Sequence, residues 1–536
     1  MSHQFWCDHT GPFAETKSGT VRGYKLDDLY VFHGIKYATA KRFEMPVPIP
    51  HWDGFVDAIT YGPVCPTMQK PSVGPMKMHV LDPCFGYRFW PEDEDCLYVN
   101  VWTKGLHDGK KRPVMVWIHG GGYGTGSSVE QHSYEPGHLV SENDVVVVSL
   151  NHRLNILGFF DMSDYGEKYK HSNNMGLVDL VEALKWVQDN IEEFGGDPGN
   201  VTLFGQSGGG YKIQALLQMP VAKDLFHKAI MQSGIDYPYP DEEKKTGDVK
   251  KVTNAVLEEL GLTAETADEI QNVPFDDLRK AYLKVSRELS AQGVNTGFGP
   301  VKDDYYLGNA CVYGFSEKAV NTPVLCGTCQ AEHYHLLGDF SDYHMPYEEK
   351  YERVKEKFGD RTDEMIEIFK KAYPDDDILN LFHMDWFWRK GTTAYLEKKT
   401  AVGGPKCYNY IIAYTYRVFG GSPTFHGSCL PLVFNNTSEI LVFNEPATVK
   451  LGMQMSRAWA SFARTGDPNH EFMPEWKNFT NEQRATMVFS ENTECRVNHD
   501  KELIDKHLEY LPYKDTFEMI MGARRRHIEA DQIVKV

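Results

Sequence analysis

The chain has 536 residues, which is long enough for folding to bury roughly three-quarters of the surface of the unfolded chain. Lysine and arginine (56) against aspartate and glutamate (75) give a net charge of −19, which argues against nucleic acid as a partner. No apolar run in the sequence approaches the ~18 residues of a membrane span. The N-terminus lacks the basic flank and apolar segment of a signal peptide. We therefore expect a soluble, cytoplasmic protein.

Cysteine content and sequence complexity bear on the organisation of the chain. Ten cysteines in 536 residues are too few for a disulfide scaffold, and the expected cytoplasmic setting keeps thiols reduced. No Pro/Gly/Ser-rich linker, internal repeat or low-complexity tract divides the chain. We therefore expect a single domain over residues 1–536, although the length alone suggests three or four.

The predicted elements change character along the chain. Residues 19–24 and 29–32 are hairpin-like runs that suit an antiparallel edge of a larger sheet. Beyond them, short apolar runs that predict buried strands alternate with helical patterns. These strands are predicted at residues 114–118, 145–150, 201–204, 229–231, 323–326 and 408–416. One apolar helical stripe follows the second of them, formed by Leu177, Leu180, Leu184, Val187 and Ile191.

Alternating strands and helices of this kind predict an α/β fold in which helices cover both faces of a mostly parallel sheet. Two highly charged, helix-rich stretches interrupt the alternation, at about residues 240–290 and 347–397. We expect both to be helical insertions on the sheet rather than separate domains. Long insertions near a site often shape its entrance.

The pentapeptide Gly-Gln-Ser-Gly-Gly at residues 205–209 lies between the predicted strand at 201–204 and a helical stretch at 211–219. This strand–turn–helix setting is what a nucleophile elbow of the form G-x-S-x-G needs. Glycines on both sides of Ser207 permit a turn too sharp for larger residues, and the turn lifts the hydroxyl to where a base can reach it. Because glycine and serine also meet in ordinary turns, the setting predicts a nucleophilic serine more strongly than the motif does.

A glycine-rich loop, His-Gly-Gly-Gly-Tyr at residues 119–123, follows directly on the predicted strand at 114–118. In acyl transfer, backbone N–H groups of such a loop can hold the negative oxygen of the tetrahedral intermediate. Alone, the loop is equally consistent with a flexible surface turn. Together with the elbow, it predicts an oxyanion hole.

The order of the elements suggests partners for Ser207. In this architecture an acid and then a histidine follow the serine, each on a loop beyond a sheet strand. Glu332 follows the strand at 323–326, and His426 follows the strand at 408–416. Spacing alone leaves competitors open: Asp339 as the acid, and the histidines His333, His335, His383 and His470, which are also explained as ordinary surface or core residues.

Longer stretches of the chain resemble the type-B carboxylesterases, the family that includes the cholinesterases and many bacterial esterases. Residues 94–102 read Glu-Asp-Cys-Leu-Tyr-Val-Asn-Val-Trp, similar to the family's E-D-C-L-Y-L-N-V. Further family signatures are similar at residues 151–154, 174–179, 194–198, 225–234 and 459–469. The resemblance covers about residues 14–490, nearly the whole chain.

The resemblance implies the α/β-hydrolase fold and a serine esterase that needs neither a metal nor an organic cofactor. It implies Ser207, Glu332 and His426 as the catalytic triad, in agreement with the order of the elements. The oxyanion hole that it implies consists of the backbone N–H groups of Gly121, Gly122 and Gly208.

Ion pairs and a disulfide position are also implied by the resemblance. Arg42–Glu94 and Arg153–Asp179 are implied as structural ion pairs rather than catalytic groups. Cys65–Cys96 matches one bridge position of the family, whereas the second bridge of the animal enzymes has no cysteines here. This pattern favours a bacterial, cytoplasmic relative.

Several residues depart from the family's pattern. Gly208 replaces the usual alanine, His333 replaces the glycine after the acid, and Cys429 replaces an acidic residue three positions beyond the triad histidine. Lys212 lies one turn into the elbow helix. None of these departures removes a catalytic group, so we expect them to affect substrate preference more than activity.

Two other patterns have competing explanations. Four possible zinc ligands lie close together in the sequence: Cys326, Cys329, His333 and His335. A single C-x-x-C pair, in a strand that leads to the triad acid, argues against zinc. Four aromatic residues are candidates for the walls of a substrate pocket and equally for the core: Tyr123, Phe298, Trp386 and Phe387.

We predict a serine carboxylesterase that hydrolyses small-molecule esters through an acyl-enzyme on Ser207. An amidase or thioesterase with the same triad is the nearest alternative, because acyl transfer alone does not name the leaving group. A non-catalytic binding protein on the same scaffold, similar to the neuroligins, is the alternative from another class. Those proteins lack the serine and need export and a membrane span. The sequence does not indicate an oligomeric state.

Overall fold

The computed structural model describes residues 4–68, 88–235, 242–334, 340–417, 421–440 and 443–510. The alternative acid Asp339 and the possible zinc ligand His335 lie outside these ranges. So do residues 236–239 after β8, residues 240 and 241 of the first predicted insertion, and residues 418–420 before His426. Within the described ranges, no helix is both long enough and apolar enough to cross a membrane.

A twelve-stranded sheet forms the centre of the fold. In chain order its strands are β1 (Phe5–Trp6), β2 (Tyr24–Leu26), β3 (Leu29–Lys36), β4 (Tyr98–Thr103), β5 (Arg112–Ile118), β6 (Val146–Leu150), β7 (Gly196–Gln206), β8 (Lys228–Gln232), β9 (Val324–Cys329), β10 (Cys407–Ile412), β11 (Thr486–Phe489) and β12 (Glu494–Arg496). Across the sheet they lie in the order β1–β2–β3–β4–β6–β5–β7–β8–β9–β10–β11–β12. Neighbours from β6 to β11 are parallel and the outer pairs are antiparallel, which confirms the predicted α/β sheet.

Helices connect most of these strands. The α-helices of the described residues are α1 (Gly137–Asn143), α2 (Asn155–Gly158), α3 (Met175–Asn190), α4 (Gly208–Leu216), α5 (Glu242–Glu259), α6 (Phe275–Ala291), α7 (Ala310–Tyr313), α8 (Glu317–Asn321), α9 (Tyr347–Phe358), α10 (Thr362–Ala372), α11 (Ile378–His383), α12 (Phe387–Ala401), α13 (Leu430–Val433), α14 (Pro446–Thr465) and α15 (Lys501–Tyr510). The predicted apolar stripe lies on α3, which ends one residue before Ile191.

The central strand β5 is buried on both faces, which explains why its residues are apolar without alternation. Val114, Val116 and Ile118 pack into one apolar cluster together with the stripe of α3. Met115 and Trp117 point to the opposite face and pack into a second cluster with α14. All five side chains are fully buried. Because helices cover both faces, every position of the strand needs an apolar residue.

The first predicted hairpin run does not form one strand at the edge of the large sheet. Its first part, Gly19–Arg22, pairs with Phe13–Thr16 and Phe55–Asp57 in a separate three-stranded sheet. Only its end belongs to β2, which pairs with β3. The chain changes sheets at Gly23, where a Cβ atom would lie 2.3 Å from the Val31 carbonyl oxygen. The apolar pattern is the same in both sheets, so it does not reveal this crossing.

Helices occupy the ranges in which insertions are predicted. Helices α5 and α6 lie between β8 and β9 in the chain, and α9 to α12 lie between β9 and β10. Strand β9 nevertheless pairs directly with both β8 and β10, so the added helices leave the sheet uninterrupted. The single-domain organisation over residues 1–536 stays a prediction.

A buried ion pair joins α3 to the segment after β6. The Arg153 Nε and Nη2 atoms donate to the two carboxylate oxygens of Asp179, at 2.8 and 2.7 Å. The Arg153 Nη1 atom donates to the carbonyl oxygens of Lys41 and Glu44, at 3.0 and 2.9 Å. The side chains of Arg153 and Asp179 are only 3% and 0% exposed, so each charge depends on the other.

We expect Asp179→Asn to lower the apparent free energy of unfolding by about 3–5 kcal/mol, because it leaves the Arg153 charge buried without a counter-charge. The measurement is urea unfolding followed by fluorescence. A matched control is Asp189→Asn on the same helix, since Asp189 pairs with Lys17 at the surface, where the two side chains are 45% and 66% exposed. That change is expected to cost at most about 1 kcal/mol. Equal effects of the two changes would contradict the structural importance of the buried pair.

Candidate active site

Ser207 lies on the sharp turn between β7 and α4 and has a strained backbone, with φ 56° and ψ −124°. The turn packs closely against the end of β5. A Cβ atom at Gly205 would lie 2.7 Å from the Ile118 carbonyl oxygen, and one at Gly209 would lie 2.0 Å from the same atom. Both positions therefore require glycine, and the turn has the geometry of a nucleophile elbow.

Glu332 and His426 are in direct contact. The His426 Nδ1 atom lies 2.7 Å from Glu332 Oε2, and the His426 backbone N–H donates to the Glu332 carbonyl oxygen at 3.0 Å. The second carboxylate oxygen, Oε1, accepts the backbone N–H of Cys329 at 2.6 Å. Glu332 is fully buried, whereas His426 is half-buried. The acid is thus fixed on both oxygens and holds the imidazole through Nδ1.

The other nitrogen of His426 contacts the residue before the serine. The Gln206 side-chain amide lies 3.1 Å from His426 Nε2. With a proton on Nδ1 directed to Glu332, Nε2 is the acceptor and the amide is the donor. The contacts at both ring nitrogens thus fit the tautomer that carries its proton on Nδ1. The sequence places Gln206 beside Ser207, but its direction toward His426 follows only from the structure.

Stacked aromatic rings extend from His426 along one wall of the site. Trp388 stacks on His426, with centroids 5.2 Å apart and an interplanar angle of 23°. Tyr211 stacks on Trp388 at 5.3 Å, and Tyr123 stacks on Tyr211 at 6.3 Å. Phe159 meets Tyr123 edge-on at 5.0 Å. We call Trp388, Tyr211, Tyr123 and Phe159 the aromatic row.

The aromatic row is anchored by the first turn of α12. Asp385 accepts the backbone N–H groups of Phe387, Trp388 and Arg389, at 3.1, 3.3 and 2.9 Å. Burial, together with the nearby Glu332 carboxylate, raises the pKa of Asp385 well above its usual value. Arg389 in turn forms a buried ion pair with Asp500, with Nε 2.7 Å from Oδ2. Trp388 therefore stands on a helix that is fixed at its start.

The glycine-rich loop lies against the elbow. Gly121 and Gly122 have φ values of 82° and 62°, in the left-handed region that favours glycine. A Cβ atom at Gly208 would lie 2.3 Å from the Gly122 backbone nitrogen, and a Cβ atom at Gly120 would lie 3.5 Å from Ser207 Cβ. The loop and the start of α4 therefore meet beside the serine.

The four aromatic pocket candidates have different positions. Tyr123 belongs to the aromatic row, and Phe387 meets Trp388 edge-on at 5.2 Å. Phe298 stacks on Tyr282 and contributes to the lining of a small cavity with Phe159. Trp386 takes the second of its two alternatives, because this ring is buried in the core and stacks on His507 with centroids 3.5 Å apart.

Tyr211 and Trp388 are the site residues that the sequence reasoning missed. Tyr211 could have been found from its place in the elbow helix, one turn beyond Ser207. The sequence carries no comparable signal for Trp388, because its approach to His426 depends on how α12 packs.

The described cysteines are free thiols. Cys329 lies beside Cys429, and burial, with the neighbouring Cys429 thiol, raises the pKa of Cys329 well above its usual value. The hydrogen bond of Cys96 to the neighbouring Cys65 and burial raise the pKa of the Cys96 thiol in the same way. Within the described ranges, the ligand atoms of three or more His, Cys, Asp or Glu residues converge only at His171, Asp303 and Asp304. Cys326, Cys329 and His333, the described members of the possible zinc set, do not form such a group.

Comparison with known proteins identifies the family. The sequence model of a family described as the carboxylesterase family matches residues 10–509. The chain belongs to the carboxylesterase family. The carboxylesterase is 33% identical to the para-nitrobenzyl esterase of Bacillus subtilis (strain 168), over 92% of this chain and 97% of that protein. It is 31% identical to the phenmedipham hydrolase of Pseudarthrobacter oxydans, over 89% of this chain and 95% of that protein.

Solved structures agree with this identification. An esterase from anaerobic Clostridium hathewayi that can hydrolyse aliphatic aromatic polyesters matches the carboxylesterase with a TM-score of 0.89 and 38% identity, covering 95% of this chain and 100% of that chain. A para-nitrobenzyl esterase structure matches with a TM-score of 0.71 and 30% identity, over 92% of this chain and 99% of that chain. The carboxylesterase therefore has the α/β-hydrolase fold and is a carboxylic ester hydrolase.

The residues that depart from the family's pattern each have a definite environment. Gly208 contacts the Gly122 backbone and has no room for a Cβ atom. His333 Nε2 lies 3.6 Å from an Asp385 carboxylate oxygen. Cys429 is fully buried, and its sulfur accepts a hydrogen bond from the Gln232 side-chain amide at 3.3 Å. Lys212 is fully buried as well.

We expect Gly208→Ala to lower kcat by about 10²–10³, because the added methyl group displaces the Gly122 N–H, one of the donors of the expected oxyanion hole. Hydrolysis of a p-nitrophenyl ester measures the effect. Gly247→Ala in α5 is the matched control, since a Cβ atom there meets nothing within 4 Å. It is expected to leave kcat unchanged and to stabilise the helix by up to about 1 kcal/mol. Normal turnover by Gly208→Ala would contradict this prediction, because it would mean that the loop makes room for the methyl group without any decrease in kcat.

Proposed function

We propose that Ser207, Glu332 and His426 form the catalytic triad of this ester hydrolase. The observation that carries the proposal is the 2.7 Å contact between His426 Nδ1 and Glu332 Oε2, beside a serine on a strained elbow. In this arrangement His426 Nε2 accepts the proton of the Ser207 hydroxyl while its oxygen attacks the ester carbonyl. Glu332 stabilises the imidazolium that forms.

The proton transfer requires an exchange of hydrogen bonds at His426 Nε2. Gln206 donates to this atom in the structure, at 3.1 Å, and the Ser207 hydroxyl has to take its place. The acyl-enzyme is then hydrolysed by a water molecule that the same Nε2 deprotonates.

The oxyanion of the tetrahedral intermediate is proposed to bind to the backbone N–H groups of Gly121, Gly122 and Gly208. The support for this proposal is that the loop and the start of α4 meet next to Ser207. Donors that are fixed before the reaction need no reorganisation as the negative charge develops, and each contributes about 10²–10³ in turnover.

Esters with an aromatic group are the proposed substrates. The aromatic row begins at His426 and presents stacked faces along one wall, and Tyr123 and Tyr211 are only half-buried. A ring of the substrate gains about 0.5–1.5 kcal/mol from such contacts beyond its buried area. The names of the relatives agree, since a para-nitrobenzyl esterase and an esterase of aliphatic aromatic polyesters are both among them.

The cytoplasmic location and the lack of a nucleic-acid partner stay predictions. No oligomeric state is proposed.

We expect Ser207→Ala to abolish ester hydrolysis and to prevent labelling by a fluorophosphonate. Intact mass measures the labelling: the unmodified protein is expected to gain a single adduct, and the variant none. The matched control is Ser233→Ala. Ser233 is a buried serine with φ 45° that follows β8 as Ser207 follows β7. That variant is expected to be labelled and active. Labelling of Ser207→Ala, or continued turnover by it, would overturn the assignment of the nucleophile.

We expect Tyr211→Leu to lower kcat/KM for a benzoate ester by about 2–10-fold relative to an acetate ester of the same alcohol, because a stacking face is lost. Phe472→Leu is the control, since this aromatic side chain is exposed and stacks below Arg457. It is expected to leave the ratio unchanged. If the ratio of kcat/KM for the benzoate ester to that for the acetate ester is the same in Tyr211→Leu and in the unmodified enzyme, the aromatic row does not recognise the substrate.

A further inference from the structure

A lysine lies in the interior of the protein beneath the active site. Lys212 is on α4, one turn beyond Ser207, and its side chain is 0% exposed. Its Nζ atom donates to the carbonyl oxygen of His119 at 3.1 Å. His119 follows the last residue of β5 and precedes Gly120, where the glycine-rich loop begins. One hydrogen bond therefore joins the elbow helix to the start of this loop.

The surroundings of Lys212 are polar but enclosed. Burial lowers the pKa of Lys212 to about 7, although the nearby Glu130 carboxylate opposes the shift. Burial also raises the pKa of Glu130 to about 7. The rings of His119 and His152 stack with centroids 5.2 Å apart, and burial, with the nearby Lys212 ammonium, lowers the pKa of both well below the usual value. Both imidazoles are therefore neutral.

Such a lysine is difficult to explain by stability alone. Removing an ammonium group from water costs several kcal/mol, and apolar residues of similar volume often replace buried charges without loss of stability. An unbranched apolar side chain would fill the same space on α4. The position of the amine at the loop is the feature that an apolar residue could not reproduce.

The His119 carbonyl is suited to control the loop. Its peptide plane includes the Gly120 N–H, so its direction sets how the chain leaves β5. The His119 ring adds a contact to the Gly120 carbonyl oxygen, with Nδ1 3.0 Å away. Beyond Gly120 the turn is closed on itself, since the Gly121 carbonyl oxygen accepts the backbone N–H groups of Gly124 and Thr125, at 3.3 and 3.0 Å. The direction in which the chain leaves β5 therefore sets the position of the whole turn.

We propose that Lys212 is a positioning residue for the oxyanion hole. Its bond to His119 fixes the loop that carries the Gly121 and Gly122 N–H groups relative to the helix that carries the Gly208 N–H. The inference rests on the proposed oxyanion hole and extends it to a residue that touches neither substrate nor reacting atoms. Small displacements of such donors are costly, since misplacement by about 1 Å can reduce turnover 10²-fold.

The test is Lys212→Met, which keeps the length and the apolar stem but removes the donor. We expect kcat to fall at least about tenfold, with KM changed less than twofold, because the loop acts on the transition state. The affinity for a trifluoromethyl ketone, which forms a tetrahedral oxyanion with the serine, is expected to fall by the same factor. The thermal unfolding midpoint is expected to stay equal or to rise, since a buried charge is removed.

The matched control is Lys399→Met on α12. Lys399 is also buried, 1% exposed, and its Nζ atom donates to the backbone carbonyl oxygens of Ala319 and Val320, at 2.6 and 3.0 Å. This variant loses the same kind of bond away from the elbow and is expected to keep kcat and ketone affinity. If Lys212→Met fails to fold, Lys212→Gln is measured in the same way, and reduced ketone affinity at unchanged KM again supports the proposal.

The outcomes separate this inference from the proposed function. If the unmodified protein is active and labelled on Ser207 while Lys212→Met keeps its kcat and ketone affinity, only the role of Lys212 is overturned. A change in KM alone, or equal losses in Lys212→Met and Lys399→Met, also overturns it. If the unmodified protein is neither active nor labelled on Ser207, the proposed triad itself fails.

Discussion

The active site depends on how closely three backbone segments approach one another around Ser207. The end of β5, the turn between β7 and α4, and the start of the glycine-rich loop meet at distances that leave no room for side chains. Gly205 and Gly209 face the Ile118 carbonyl oxygen, and Gly208 faces the Gly122 backbone. Where backbones are this close, their N–H groups form part of the site surface. The strained serine and the expected oxyanion donors are two results of the same constraint.

The parallel sheet brings the remaining groups to the same place. The elbow, the glycine-rich loop and Glu332 follow the carboxyl ends of β7, β5 and β9, which lie at one edge of the sheet. His426 is tied to Glu332 through its backbone as well as its ring. The proposed acid and base are therefore one unit, and the proposed nucleophile lies on a separate, closely packed turn.

Much of this arrangement could be predicted from the sequence because it depends on local rules. The elbow needs glycines at fixed positions, buried strands need continuous apolar residues, and the order of serine, acid and histidine follows from the fold. The contributions of Gln206, Trp388 and Lys212 could not be predicted in this way. Each depends on where a side chain points after distant elements have packed. The same limit explains the change of sheets at Gly23, which leaves the apolar pattern unaltered.

The position of the aromatic row depends on helix α12, which carries Trp388. Asp385 holds the backbone of its first turn, and Arg389 in the same turn is paired with Asp500 in the interior. Two buried carboxylates therefore fix the end of the helix that carries Trp388. The aromatic row that starts on it is therefore a preformed surface, and the proposed selection of aromatic esters would depend on matching its shape.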